Sequence, residues 1–163
     1  MPDIRADLVD VYVMRERDGA VEFLQLRRTA EPMAGTWQPV MGHVEAGESA
    51  VQAAVRELGE EVGLRGGDPA WLGFWQLEEV HPYFVAAMDA VVLSPRFAVL
   101  ADELWEPDLS GDDAHNAHRW IDAGGVREAF MWPGQCRACD EAAGLLATRG
   151  SSLERALRLR PGG

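Results

Sequence analysis

The chain has 163 residues, a length that suits one domain with a sizeable core, and 47% of them are hydrophobic, which excludes a disordered chain. Its 27 acidic residues against 15 basic ones give a formal net charge of −12, which argues against a nucleic acid polymer as partner, because that needs a basic footprint. Every basic residue is arginine, so a catalytic or phosphate-loop lysine is excluded, while a small anionic substrate stays open if metal ions and a few arginines neutralise it locally. The N-terminal MPDIRADLVD lacks the apolar run of a signal peptide, and no stretch is long enough to span a bilayer, so no membrane partner and a cytoplasmic setting are expected.

In chain order, Leu8–Met14 is apolar and β-prone and predicts a strand. Asp18-Gly19 predicts a hairpin turn, and Val21–Arg28 the returning strand. If that strand alternates, Arg28 lies on the face of Leu24 and Leu26, and Arg27 on the other. Thr29–Gly35, with Pro32, predicts a loop, and Thr36–Met41 a short extended segment. Ser49 and Gln52 form a capping-box pair, so a helix begins at Ser49 and stops at Gly63. Val51, Ala54, Val55, Leu58 and Val62 recur at helical spacing as its buried stripe. Trp71–Val80 and Tyr83–Leu93 predict two further strands, and Trp71, Trp75 and Tyr83 read as packing residues. Ser94–Asp113 is acidic and reads as a long loop. Arg119–Asp122 predicts a last strand, Gly124–Phe130 a helical turn or two, and Gln135–Thr148 and Ser152–Arg160 helices. Cys136 and Cys139 form a C-x-x-C without further ligands at zinc spacing, and read as two thiols on a helix. The whole is a mixed sheet layered with helices rather than a regular βαβ alternation.

Glu57, Glu60 and Glu61 stand near the C-terminal end of the Ser49 helix, where the macrodipole disfavours negative charge and like charges one turn apart repel. At 3.6 residues per turn they share an arc of about 100° bordering the buried stripe. A bound divalent cation is the candidate that would offset that cost, since hard cations take several oxygens at fixed positions, and a solvated acidic face is the alternative. Arg56 is placed to orient a neighbouring carboxylate.

The stretch GHVEAGESAVQAAVRELGEEVGL, Gly42 to Leu64, resembles the Nudix box with every position filled: Gly42, Glu48, Arg56-Glu57-Leu58, Glu60-Glu61, Gly63-Leu64. At roughly 6% usage per residue type, seven single-residue requirements coincide by chance about once in 10⁹ windows. The resemblance implies a single Nudix domain over residues 1–163, with an α/β (α+β) fold, an α/β/α sandwich around a mixed β-sheet. It also implies hydrolysis of a nucleoside diphosphate linked to another group. In this reading Glu57, Glu60 and Glu61 ligate Mg²⁺ (or Mn²⁺), together with the backbone carbonyl of Met41. Arg56 orients Glu57, Glu57 also acts as base in some members, and Glu48 supports the loop–helix junction. Cations so held neutralise the pyrophosphate and lower the pKa of an attacking water.

The flanks LQLRR, TWQPVMGHVEAGES and HNAHRWID are similar to the branch that hydrolyses dATP or dihydroneopterin triphosphate. That similarity implies Arg28 and Arg27 on substrate phosphates, Trp37 stacked on a base or pterin, and Gln38 bonded to the same group. Relatives carry Glu-His before the last strand, whereas Ala114 precedes His115 here; Asp112 and Asp113 stand close as shorter substitutes for that distal acid. His115 and His118 themselves read as surface or strand-end histidines. A dinucleoside polyphosphate, ADP-ribose or a nucleotide sugar is the alternative substrate. A non-catalytic nucleotide sensor is the alternative of another class, and it should show eroded glutamates, which this box does not. A homodimer is compatible with all of these.

Overall fold

The computed structural model describes residues 1–31 and 33–161; Pro32, inside the loop expected at Thr29–Gly35, lies outside them. A short strand β1 (Asp3–Arg5) precedes the long hairpin of β2 (Leu8–Arg17) and β3 (Ala20–Arg28). Its two-residue turn puts Asp18 at φ +51° and Gly19 at φ +81°, the left-handed pair whose twist matches the flanking strands. The two strands stay paired only near the turn, from Met14↔Phe23 to Arg17↔Ala20, and then part. The next segment fills the gap. β4 (Trp37–Gln38) pairs with β3, and β5 (Val40–His43) with β2. This splay brings the chain that leads into the first helix, α1 (Ala50–Glu61), to the middle of the sheet.

After α1 come β6 (Trp71–Gln76), β7 (Tyr83–Val85), β8 (Ala90–Val92), β9 (Arg96–Ala101) and β10 (His115–Asp122). Helices α2 (Val126–Ala129), α3 (Pro133–Ala147) and α4 (Ser152–Leu157) follow. The main sheet runs β10-β3-β2-β9-β6, with β2 and β9 parallel and the other neighbours antiparallel. A small sheet, β1-β8-β7, stands apart.

Alternation along the strands divides the core in two. Val9, Val11, Val13, Leu24, Leu26, Phe97 and Val99 face α1 and bury Ala54, Leu58 and Val62. Tyr12, Met14, Phe23, Trp75, Ala98 and Leu100 face α3 and bury Ala138, Ala142 and Leu145. The result is the expected mixed sheet between helical layers. Cys136 and Cys139 are free thiols on α3, as their spacing suggested, and burial pushes the Cys139 thiol up.

Three expectations need correction. Ser94–Asp113 is not all loop, because β9 lies within it and pairs with both β2 and β6. The Tyr83–Leu93 strand is two strands, broken by a 3₁₀ turn at Ala86–Met88 and a left-handed Asp89 at φ +46°. The strand from Trp71 ends at Gln76 rather than Val80.

Candidate active site

Helix α1 begins and ends as its sequence dictates. Ser49 accepts from the Gln52 amide at 3.2 Å, and Gln52 reaches back to the Ser49 amide at 2.9 Å. Gly63, at φ +74°, ends it, and the Leu64 amide closes on the Leu58 carbonyl at 3.1 Å. Because Leu58 and Val62 are drawn into the core, their neighbours Glu57 and Glu61, one turn apart, are drawn to its rim and are each 8% exposed. Glu60 points outward and is exposed.

Arg56 ties these carboxylates to the loop before the helix. Its Nε and Nη2 grip the two Glu48 oxygens at 3.0 Å each, a bidentate pair. Nη2 also donates to the His43 carbonyl at 2.7 Å. Nη1 donates to Glu57 at 2.8 Å and to Glu60 at 3.0 Å. The guanidinium therefore stays charged, with its pKa pushed upward chiefly by the Glu48 bond. Glycine at position 42 makes room for this arrangement. A Cβ there would fall 1.8 Å from Glu57 Oε1, so Glu57 can take this position against β5 only when residue 42 has no side chain.

Glu61 has a different environment. It accepts from the Met41 amide at 3.3 Å, and His115 Nδ1 lies 3.9 Å away. Among the described residues no arginine reaches it within ion-pair distance. Burial, then the charges of Glu57 and Asp112, push its pKa up to about 9 against the pull of the Met41 amide and Arg28. Burial likewise raises Glu57, partly offset by Arg56.

Among the described residues no three acidic, histidine or cysteine side chains already converge on one ion-sized point. The cause lies in the hydrogen bonds: Glu57 and Glu60 are drawn to Arg56, and Glu61 to the Met41 amide. The donor set nonetheless fits a hard divalent cation. It offers carboxylate oxygens from adjacent turns, one of them buried without a compensating positive charge.

The sheet sorts the other expected residues by face. Arg28 stands opposite His115 across the β3–β10 pair, on the α1 side. Gln38 stands opposite Leu26 and shares that side, bonding His115 at 2.9 Å. Trp37 stands opposite Arg27, on the other face. There the Arg119 guanidinium covers the Trp37 ring at 4.2 Å, and Arg27 bonds Asn116 at 2.8 Å. Arg27 and Trp37 are thus on the opposite face from the glutamates, whereas Arg28 and Gln38 are beside them. At Met41 it is the amide that meets Glu61. Asp113 is exposed, whereas Asp112 turns inward to His115 at 2.6 Å. His115 is the first residue of β10, a strand end as expected, but it is only 4% exposed, which corrects its reading as a surface residue. A register shift in β10 between His115 and His118 turns it to the α1 side, and no spacing rule in the sequence announces that shift. An open cleft of about 480 Å³ runs along the outer flank of α1, lined by Arg56, Glu60, Arg65 and Gly111, away from Glu57 and Glu61.

With this geometry in view, the family model for the NUDIX domain matches residues 5–135. The chain belongs to the Nudix family. Among curated relatives, an octanoyltransferase of Myxococcus xanthus is 32% identical over 128 residues, 77% of this chain and 33% of that protein. The chain spans a third or less of the length of the curated relatives it matches. Among solved structures, an Ap4A hydrolase of C. elegans superposes with a TM-score of 0.71 at 20% identity, covering 88% of this chain and 98% of that one. The E. coli dihydroneopterin triphosphate pyrophosphohydrolase gives 0.69 at 20% identity, covering 86% and 96%. At these identities the structural likeness establishes the Nudix fold. No described helix is long and apolar enough to cross a membrane.

The raised Glu61 makes a pH prediction. Its folded pKa of about 9 exceeds the ordinary carboxyl value, so the neutral form stabilises the metal-free fold, and that contribution is lost as pH rises toward 9. A divalent cation needs the ionised form and must displace the proton. The rise in melting temperature on adding excess Mn²⁺ is therefore expected to be larger at about pH 8 than at about pH 6. A pH-independent rise, measured by differential scanning fluorimetry, contradicts this account of Glu61.

Proposed function

We propose that this Nudix chain hydrolyses a phosphoanhydride bond of a small nucleotide-like substrate, a nucleoside triphosphate or a related nucleoside diphosphate derivative, with Mg²⁺ or Mn²⁺. The observation that carries the reading is the pair Glu57 and Glu61, one helical turn apart at the rim of the core, with no arginine among the described residues within ion-pair distance of Glu61. A chain gains nothing in stability from a buried carboxylate left in that condition, and such sites mark function. The complete box from Gly42 to Leu64 supports the same reading.

In the proposed site Glu57, Glu60 and Glu61 hold the cation, which when bound supplies charge neutralisation for a pyrophosphate. Arg56 restricts Glu57 and Glu60 to one side of the helix, so less ordering remains to be done on binding. Glu48 and the His43 carbonyl fix Arg56 itself. Arg28, at the end of β3 on the same face, supplies a positive charge for a phosphate oxygen, and Gln38 lines the same end of the sheet. Glu57 is the proposed base toward water, its pKa raised by burial toward the range where a carboxylate accepts a proton more readily.

The test is a substrate panel of dNTPs, oxidised dNTPs, dihydroneopterin triphosphate, dinucleoside polyphosphates and ADP-ribose, each with Mg²⁺, Mn²⁺ or chelator. Phosphate-containing products are identified by chromatography. Turnover of a triphosphate to a monophosphate plus pyrophosphate, abolished by chelator, is expected. Absence of metal-dependent turnover across the panel contradicts the reading.

A further inference from the structure

The cleft on the outer flank of α1 holds about 480 Å³, a size that admits a small ligand, and Glu60 stands at its rim. Two arginines line it, Arg56 and Arg65. Arg56 is already engaged by Glu48, Glu57 and Glu60. Arg65 is exposed, and among the described residues its side chain has neither an acidic partner nor a hydrogen bond. That side chain lies along α1 at Gly59, where a Cβ would stand 3.6 Å from Arg65 Cγ and 3.9 Å from its Nε. Those are ordinary contacts, so packing within the chain does not require glycine at position 59, and glycine inside a helix is less stable than alanine. Position 59 is not one of the box positions either. What glycine leaves there is an open flank beside Glu60. Across the cleft Gly66 and Gly111 contribute backbone, and neither amide donates a hydrogen bond among the described residues. A guanidinium and unengaged amides are donors suited to phosphate oxygens. The Glu60 carboxylate repels an anion there until a divalent cation neutralises it.

We infer that this cleft receives the terminal phosphates of the substrate and, after cleavage, the pyrophosphate, with Arg65 as the residue that selects a substrate ending in free phosphates. The inference rests on the function proposed above and deepens it by naming the substrate class: a nucleoside triphosphate rather than a diphosphate capped by a sugar or a second nucleoside. Water breaks the α,β-anhydride. Its oxygen joins one phosphorus, the bridging oxygen stays with the other, and its protons pass to the base and to solvent. The separated pyrophosphate keeps Arg65 as its partner on the side of Glu60. A capped phosphate chain brings fewer charged oxygens to the same arginine.

The experiment titrates pyrophosphate calorimetrically into the full chain, with Mg²⁺ and with chelator, and measures pyrophosphate inhibition of turnover on the best substrate of the panel. Binding is expected with Mg²⁺ and lost with chelator. Arg65→Ala should weaken both binding and inhibition by about 10-fold, the loss of one charge-assisted bond, and Arg65→Lys should recover part of it. Gly59→Leu, which fills the flank with a good helix former, should weaken them as well. Arg17→Ala, an exposed arginine at the far end of the β2–β3 hairpin, should bind pyrophosphate as the unchanged chain does. Thermal melts identify any variant that fails to fold; if Gly59→Leu does, the exposed Arg65 still decides. Pyrophosphate binding that is the same in Arg65→Ala as in the unchanged chain overturns the inference and leaves the proposed function standing. So does a panel in which only capped diphosphates are turned over. Absence of metal-dependent turnover of every substrate defeats the proposed function instead.

Discussion

Glu57→Gln is expected to lower metal-dependent kcat by more than about 10²-fold while the metal-free fold persists. The substitution keeps the size of the side chain and one oxygen but removes the negative charge. The bond from Arg56 Nη1, now 2.8 Å, can still be accepted by the amide oxygen, so the loop–helix junction through Glu48 and His43 stays in place. Removing a charge that burial already disfavours costs the metal-free protein little. Its melting temperature should stay within about 3 °C, the shift that roughly 1 kcal/mol produces in a chain of this size. Losing a direct ligand should exceed the ~10–100-fold typical of residues that only orient ligands. Steady-state kinetics with a thermal melt checks both halves, and unchanged turnover in Glu57→Gln and Glu60→Gln together sinks the site.

Gly42→Ala should produce nearly the same loss from a single methyl group placed outside the carboxylates. The added Cβ would sit 1.8 Å from Glu57 Oε1 and 1.9 Å from its Cδ. The atoms it strikes are the end of a flexible side chain, so the backbone can stay while the carboxylate swings away. Displacement by an ångström or more from a productive position costs on the order of 10²-fold in rate. Circular dichroism and thermal melting should show a folded protein, because Gly42 lies in β5 and alanine is tolerated in a strand. Wild-type kcat in Gly42→Ala contradicts the placement of β5 against α1.

Both predictions concern the part of the molecule most legible in the sequence. The capping box at Ser49, the stop at Gly63 and the stripe through Leu58 and Val62 describe α1 within a residue, because each depends on contacts local to the helix. The hairpin turn at Asp18-Gly19 was legible for the same reason, whereas the parting of its strands around β4 and β5 depends on long-range pairing. β9 was not: Arg96–Ala101 is buried on both faces, so it lacks the alternation that marks a half-exposed strand, and it sits beside an acidic segment. The break between β7 and β8 depends on a left-handed Asp89, and neither glycine nor proline announces it.

The site shows the same division. Helical geometry accounts for Glu57 and Glu61 at the rim of the core, whereas Glu60, expected to border the same stripe, is exposed. Which of Trp37 and Gln38 reaches them depends on how two residues of β4 register against β3, a tertiary matter that reverses with a shift of one. His115 reaches the site only through a register shift in β10. Asp112 rather than Asp113 faces inward because His115 and the Ala114 amide hold it there.

Helix α1 is proposed to present a carboxylate site for a divalent cation. Calorimetric titration of Mn²⁺ into the unchanged chain and into Glu57→Gln/Glu61→Gln tests it without reference to any substrate. Saturable binding by the former, weakened by more than about 10²-fold in the latter, is the predicted result. Equal binding by the two proteins, or none by the unchanged chain, would contradict it.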